Sequence, residues 1–207
     1  PTLAWNMVME DDHYEVQIDN LKTFASPEQI FTGSTGVLTY TAAILPDGLY
    51  YWRARTFNYL NIPGPWSAYR SFRIDTTAPA VPILSKPADA ASVVGTPTFS
   101  WKASATATRY QFEYNTVNDP NTYVYQSGEL TTLTHKPPPM TPNTLYYWFV
   151  RAKDPVGNWS EWSAARTVTI LPPTPAAPVL DLPATSWVTN IITPELKWKS
   201  VPYGATF

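Results

Sequence analysis

Apolar and polar residues alternate along several short stretches of the chain. "YEVQID" (Tyr14–Asp19) sets Tyr14, Val16 and Ile18 on one face, and "YQFEYN" (Tyr110–Asn115) repeats the pattern. A period of two is that of a strand with one buried face. "YYWRAR" puts Tyr50, Trp52 and Ala54 inward and Tyr51, Arg53 and Arg55 outward. "SFRI" and "TVTI", ending at Ile74 and Ile170, read as further strands. No stretch of 11 residues keeps a helical period.

The pattern recurs. "PTLAW" (Pro1–Trp5) returns as "PTFSW" (Pro97–Trp101), offset by 96 residues, and as "PELKW" (Pro194–Trp198), offset by a further 97. Nine residues after each of these tryptophans stands an aromatic: Tyr14, Tyr110 and Phe207. "LYYWRARTFN" (Leu49–Asn58) aligns without a gap on "LYYWFVRAKD" (Leu145–Asp154), and Trp66, Arg70 and Ile74 fall on Trp162, Arg166 and Ile170. Such self-similarity marks repeated units. Proline-rich linkers, "DTTAPAVPILSKP" (Asp75–Pro87) and "LPPTPAAPVLDLP" (Leu171–Pro183), separate them. The expected division is 1–75, 76–171 and 172–207. The first unit starts at its second strand, and the third supplies two strands and stops.

Composition agrees with an all-β reading. The 207 residues include 22 Pro, 9 Trp and 13 Tyr against 8 Gly, and proline at this level disfavours long helices. The net charge of −2 draws the chain neither to nucleic acid nor to an anionic membrane. There is no cysteine, hence no disulfide framework. No run of 18 apolar residues exists to insert in a membrane. Any targeting signal is expected outside this segment, which opens on Pro1.

An early tryptophan and short strands within about 96 residues predict tandem antiparallel two-sheet sandwiches. "MTPNTLY" (Met140–Tyr146) resembles the tyrosine corner of fibronectin type III domains, and "ILPDGLY" (Ile44–Tyr50) is a looser copy, with Tyr50 and Tyr146 as the corner residues. The resemblance implies strand B at Trp5 and Trp101, C at Tyr14 and Tyr110, F at Tyr50 and Tyr146, and G at Phe72 and Val168. Strand A of the second unit is expected near Val81–Leu84. Trp5, Trp101, Tyr50 and Tyr146 should be mostly buried.

"WSEWS" (Trp159–Ser163) resembles the W-S-x-W-S box of class I cytokine receptors and lies at the corresponding place, before strand G; the first unit has only "WSAYR" (Trp66–Arg70). Those receptors carry paired cysteines, which this chain lacks. The residues allow two other roles. Trp66 beside Arg53 and Arg55, and Trp159 and Trp162 beside Arg151 and Arg166, can stack as a cation–π ladder. Alternatively, Trp159 and Trp162 form an open platform for a sugar. "NWS" (Asn158–Ser160) is a glycosylation sequon.

Catalytic signatures are absent: there is no G-x-S-x-G and no phosphate-binding glycine loop. His13 and His135 lie on different units. "MEDDH" (Met9–His13) reads as a solvated loop, with a calcium contact as the alternative. "RIDTTAP" and "KDPVGN" resemble linker and loop sequences of bacterial immunoglobulin-like repeats. That likeness places Asp75, Asp154 and Asn158 as a candidate calcium set at the first junction. No other cofactor is implied.

The expected function is a non-catalytic extracellular or cell-surface repeat region: a spacer, stalk or filament of a longer chain. The alternatives are a carbohydrate-binding accessory module of a secreted polysaccharide-active enzyme and a cytokine-receptor-like ectodomain. Expected partners are neighbouring domains of the same chain, a polysaccharide, or identical subunits head-to-tail. In the last case the strand at Ala177–Leu182 would complete the first unit of another copy, with Val179 and Leu182 beside Trp5.

Overall fold

A computed structural model describes residues 1–9, 12–34, 36–182, 188, 193 and 195–199. Glu10 and Asp11 of the acidic loop, and Phe207, lie outside the described residues. No helix occurs among those described. The chain divides into two units, Pro1–Thr77 and Ala78–Phe207.

The first unit contains β1 (Thr2–Ala4), β2 (His13–Asp19), β3 (Gln29–Ser34), β4 (Thr39–Thr41), β5 (Gly48–Phe57) and β6 (Arg70–Ile74). These form a β3-β2-β5-β6 sheet and a β1-β4 pair, all antiparallel. The alternation in β2 appears directly as burial: Tyr14, Val16 and Ile18 are buried and the residues between them are not. Val16 and Ile18 pack with Leu3 and Tyr50.

The second unit contains β7 (Leu84–Lys86), β8 (Ala91–Val94), β9 (Phe99–Trp101), β10 (Arg109–Asn115), β11 (Tyr125–Gln126), β12 (Thr134–His135), β13 (Thr144–Lys153) and β14 (Arg166–Leu171). One sheet is β12-β9-β7. The other is β11-β10-β13-β14-β8, in which β8 runs parallel to β14. Strand A starts later than expected, at Leu84 rather than Val81. Pro82 has no N–H to give to a ladder, and the first contact is Lys102 N donating to the Ile83 carbonyl at 2.9 Å. Beyond this sandwich, β15 (Val179–Leu182) pairs antiparallel with β16 (Lys197–Lys199). Leu180 stands opposite Trp198, with an irregularity before Leu182. Leu84 stands opposite Trp101 with the same irregularity before Lys86.

The two cores differ in coverage. Trp101, Trp148, Val168 and Ile170 are each 3% exposed or less. Their counterparts Trp5, Trp52, Phe72 and Ile74 are only partly buried. Trp5 was expected to be mostly buried. In the second unit β7 lies over Trp101 and β8 flanks β14; in the first unit no described strand does either. Both tyrosine corners are closed: the Tyr50 hydroxyl donates to the Pro46 carbonyl at 3.0 Å, and Thr141 N donates to the Tyr146 hydroxyl at 3.2 Å. A buried phenol thereby keeps a partner.

Because Trp101 is enclosed on all sides, Trp101→Ala should destabilise the second unit by about 3–5 kcal/mol. Trp5→Ala should cost the first unit clearly less. Urea unfolding of the two variants measures the difference.

Candidate functional site

The "WSEWS" segment lies along the edge of β13. Strand β14 pairs with β13 only from Thr144 to Trp148. Past that point the edge of β13 needs other partners, since an unpaired buried backbone group is costly. Two serines supply them. Ser163 N donates to the Val150 carbonyl at 2.9 Å, and Val150 N donates to Ser163 Oγ at 3.2 Å. Ser160 N donates to the Ala152 carbonyl at 2.8 Å, and Ala152 N donates to Ser160 Oγ at 3.0 Å. Each serine closes a two-bond clamp, and both are buried.

In the first unit Ser67 makes the same clamp on Ala54, at 2.9 and 3.1 Å. Gly64 stands at the place of Ser160 and keeps only the backbone bond, to the Thr56 carbonyl at 2.8 Å. Half of the motif thus makes half of the side-chain bonds. Ser127 makes a further clamp, on Phe112 of β10, at 2.8 and 2.9 Å. The sequence carries no motif that would single it out.

Clamping the serines turns the tryptophans onto the outer face of the sheet. The Arg151 guanidinium lies 4.5 Å from the Trp159 ring centroid and 4.6 Å from that of Trp162. Lys153 Nζ is 5.1 Å from Trp159 and pairs with Glu129 at 2.6 Å. In the first unit Arg53 sits between Phe24 (4.1 Å) and Trp66 (4.2 Å), and Arg55 between Trp66 (4.3 Å) and Phe57 (4.9 Å). His13 stacks on Phe57, extending the series.

Each arginine is held in plane by the residue directly opposite on the neighbouring strand. Gln17 Oε1 accepts from Arg53 at 2.8 and 3.1 Å, and Gln111 Oε1 accepts from Arg151 at 2.6 and 2.9 Å. Glu15 pairs with Arg55 at 2.6 Å. Burial lowers the pKa of Arg53, as does its neighbour Arg55, and burial lowers that of Arg151. Both stay charged, as an arginine in a protein does. Phe24, Phe57, Gln17 and Gln111 went unread in the sequence, although their strand partners made the two amides readable.

Arg166 was expected in the stack and is engaged elsewhere. Its guanidinium donates to the carbonyls of Ser85 (2.8 Å) and Pro87 (3.2 Å), tying down the strand A segment.

Of the residues considered for calcium, Asp75 belongs to the first unit, and its Oδ1 accepts from Thr77 N at 3.3 Å. Asp154 organises its own loop. Its Oδ1 accepts from the amides of Val156, Gly157 and Asn158, and its Oδ2 from the Asn158 side-chain amide, all within 2.9 Å. Gly157 takes φ +111°, which its lack of a Cβ permits. An ion at Asp154 would have to compete with these four bonds. Among the described residues no group of three or more His, Cys, Asp or Glu is gathered as a metal would need. The "DTT" linker is held by Asp47, which accepts from Thr76 N, Thr76 Oγ1 and Thr77 Oγ1 at 2.7–2.9 Å.

One carboxylate on the stack face is ill-matched. Glu113 occupies the place of Gln17, but Phe149 stands opposite it where Arg53 stands in the first unit. Glu113 is fully buried; its Oε2 accepts from Gln126, and its Oε1 has no partner. Burial raises its pKa.

A family model described as "Rha78A-like, N-terminal immunoglobulin domain" matches residues 90–170. The matched residues lie within the second unit, a two-sheet β-sandwich. The first unit repeats the same strand order from β1 onward.

Among solved structures, the FN1–FN3 domains of chicken CNTN1 align at 17% identity and a TM-score of 0.47, over 82% of this chain and 61% of that one. The fibronectin(III)-like modules of Clostridium thermocellum CbhA align at 11% identity and a TM-score of 0.45, over 83% and 85%. The chain thus spans about 61% of the length of the CNTN1 structure. No curated protein sequence matches. No helix among the described residues is long and apolar enough to cross a membrane.

Two predictions follow the chemistry of this unit. Glu113, with its folded pKa raised, costs stability as the pH rises above its ordinary 4.5. Glu113→Gln should therefore raise the thermal midpoint of the second unit at pH 7 and leave it nearly unchanged at pH 4, by calorimetry.

Asp154 has the opposite sign. Burial pushes its pKa up, but the Asn158 side chain and the loop amides outweigh this and hold it below 3.8. Its contribution is present above that pH and lost as the pH falls further. Asp154→Ala should lower the midpoint at pH 7 and flatten the acid limb of the stability profile.

Proposed function

We propose that this chain is a non-catalytic structural repeat region, a semi-rigid spacer or stalk of an extracellular multi-domain protein. The observation that carries the reading is the state of the outer aromatic face. Trp66, Trp159 and Trp162 are stacked against the chain's own arginines and are partly buried. Rings used in this way stiffen a sandwich and cover its outer sheet. A sugar platform needs open ring faces instead.

The proline-rich linkers support extended spacing between folded units. The match of the second unit to a domain described as N-terminal supports its being one module of a larger protein. Neither histidine suggests catalysis. His13 pairs with Asp12 at 3.0 Å, and His135 Nε2 meets the Tyr125 hydroxyl at 3.0 Å, its pKa lowered by burial.

Trp162→Ala tests the reading. It should lower the stability of the second unit by about 0.5–2 kcal/mol through loss of the cation–π contact. Neither it nor the parent chain should be retarded in gels cast with soluble polysaccharides. Retardation of the parent that disappears in Trp162→Ala, with stability unchanged, would establish the accessory-module alternative. Ser163→Ala should cost about 1–3 kcal/mol, because it leaves Val150 N unpaired in the interior.

A further inference from the structure

Connections of equal length lead into an edge strand of each unit, and the two edge strands are held differently. In the first unit residues 20–28 lead to β3, which pairs with β2 through six residue pairs, from His13–Ser34 to Ile18–Gln29. In the second unit residues 116–124 lead to β11, which pairs with β10 through two, Tyr114–Tyr125 and Glu113–Gln126. The registers coincide. Shifted by 96 residues, Gln17 and Ile18 fall on Glu113 and Tyr114, and Gln29 and Ile30 fall on Tyr125 and Gln126.

The side chain at the Gln17 place is what changes. Gln17 is a neutral amide with Arg53 opposite it, whereas Glu113 is fully buried between Gln126 and Phe149. Gln126 Nε2 donates to Glu113 Oε2 at 2.9 Å, and Oε1 has no partner. A buried carboxylate is far costlier than the neutral acid. On one side of Glu113, β13 is fixed to β10 by seven residue pairs. On the other, only the two pairs of β11 must yield before water reaches the carboxyl group, so a local opening there costs least.

We propose that Glu113 makes β11 a pH-operated latch on the edge of the second sandwich. With the carboxyl group protonated, Tyr125 and Gln126 stay paired with β10. Once it ionises, they leave the edge and water reaches the charge. The moving part is short, because both of its ends are tied. Asn115 Nδ2 donates to the carbonyls of Asp119 and Thr122, at 2.8 and 2.6 Å. Ser127 is clamped on Phe112, and Tyr110 and Leu130 exchange two backbone bonds of 2.8 Å. The opening is thereby confined to residues 123–126, of which Tyr123 and Val124 are already exposed.

The groups facing Glu113 set the sign. Burial raises its pKa; Gln126 of β11 and Arg151 of β13 pull it down, Asp119 pushes it up, and burial prevails. The closed state is therefore fully favoured below 4.5 and is lost as the pH rises through the raised value. The other side chain of β11 works in the opposite sense. The Tyr125 hydroxyl meets His135 Nε2 of β12 at 3.0 Å, and burial lowers the pKa of His135. Charging His135 would loosen β11 as the pH falls, so the direction of the response separates the two groups.

Hydrogen exchange of the whole chain between pH 4 and pH 8 tests the latch, with the intrinsic pH dependence of exchange divided out. The Val124 amide donates to the Tyr114 carbonyl at 3.0 Å. Its protection should fall severalfold as the pH rises, while the β13 amides keep theirs. In Glu113→Gln, which places here the residue that the first unit carries, Val124 protection should stay level across the range. Protection of Val124 that does not change with pH, a fall that persists in Glu113→Gln, or an equal fall throughout β13 would overturn the proposal. The latch does not depend on the spacer reading, so the Trp162→Ala and polysaccharide results can fail separately from it.

Discussion

The unpaired half of one strand sets the terms for the rest of this chain. β5 and β13 are ten residues long, but the strand on one side of each covers only about half of that length. The remaining amides and carbonyls face a connection that cannot continue the ladder. Hydroxyls solve this: a serine brings a donor through its backbone and an acceptor through its side chain, so one residue satisfies two backbone groups. Two serines three residues apart along the connection then aim the tryptophan before each of them outward. The stack is a by-product of how the edge is closed, and the arginines take the places that remain between rings.

The two units reach the same end with different residues. The second has two tryptophans around one arginine; the first has one tryptophan between two arginines, with phenylalanines outside. In each, rings and cations alternate, so that an indole ring separates neighbouring guanidinium groups in the first unit and one guanidinium separates two indoles in the second. The exchange has a local cost. Where Arg53 is replaced by Phe149, the facing position holds Glu113, and the carboxylate loses the guanidinium that its counterpart Gln17 enjoys.

Much of the fold is legible in the sequence because burial here is a period-two affair. The alternation in Tyr14–Asp19 and Tyr110–Asn115 fixes which face is inside, and the 96-residue offset transfers that reading from one unit to the other. The site is legible in its residue types rather than its roles. Tryptophans near arginines suggest stacking, yet nothing in "WSEWS" alone says that the serines hold the strand edge. Arg166 shows the limit: its spacing fits the stack, but carbonyls at Ser85 and Pro87, some 80 residues away in sequence, determine its direction. Phe24 is less readable still, since it adopts φ +52° in a loop and comes to rest on Arg53 through tertiary packing. Asp47 and Asp154 illustrate a third kind of ambiguity. An aspartate that caps a turn and one that ligates an ion look alike until the donors around it are known.

The parallel pairing of β8 with β14 has a mechanical meaning. These strands lie near the two ends of the second sandwich, and four successive residue pairs, Ala91–Val168 to Val94–Leu171, join them. A tension applied along the chain draws β8 toward its start and β14 toward its finish. Parallel strands pulled in that way slide past each other, so the connecting bonds bear load together rather than opening one after another like a zip. Bonds loaded side by side share a force that would break each of them in turn. The sandwich is therefore arranged to resist stretching in the direction in which a tethered chain would experience it.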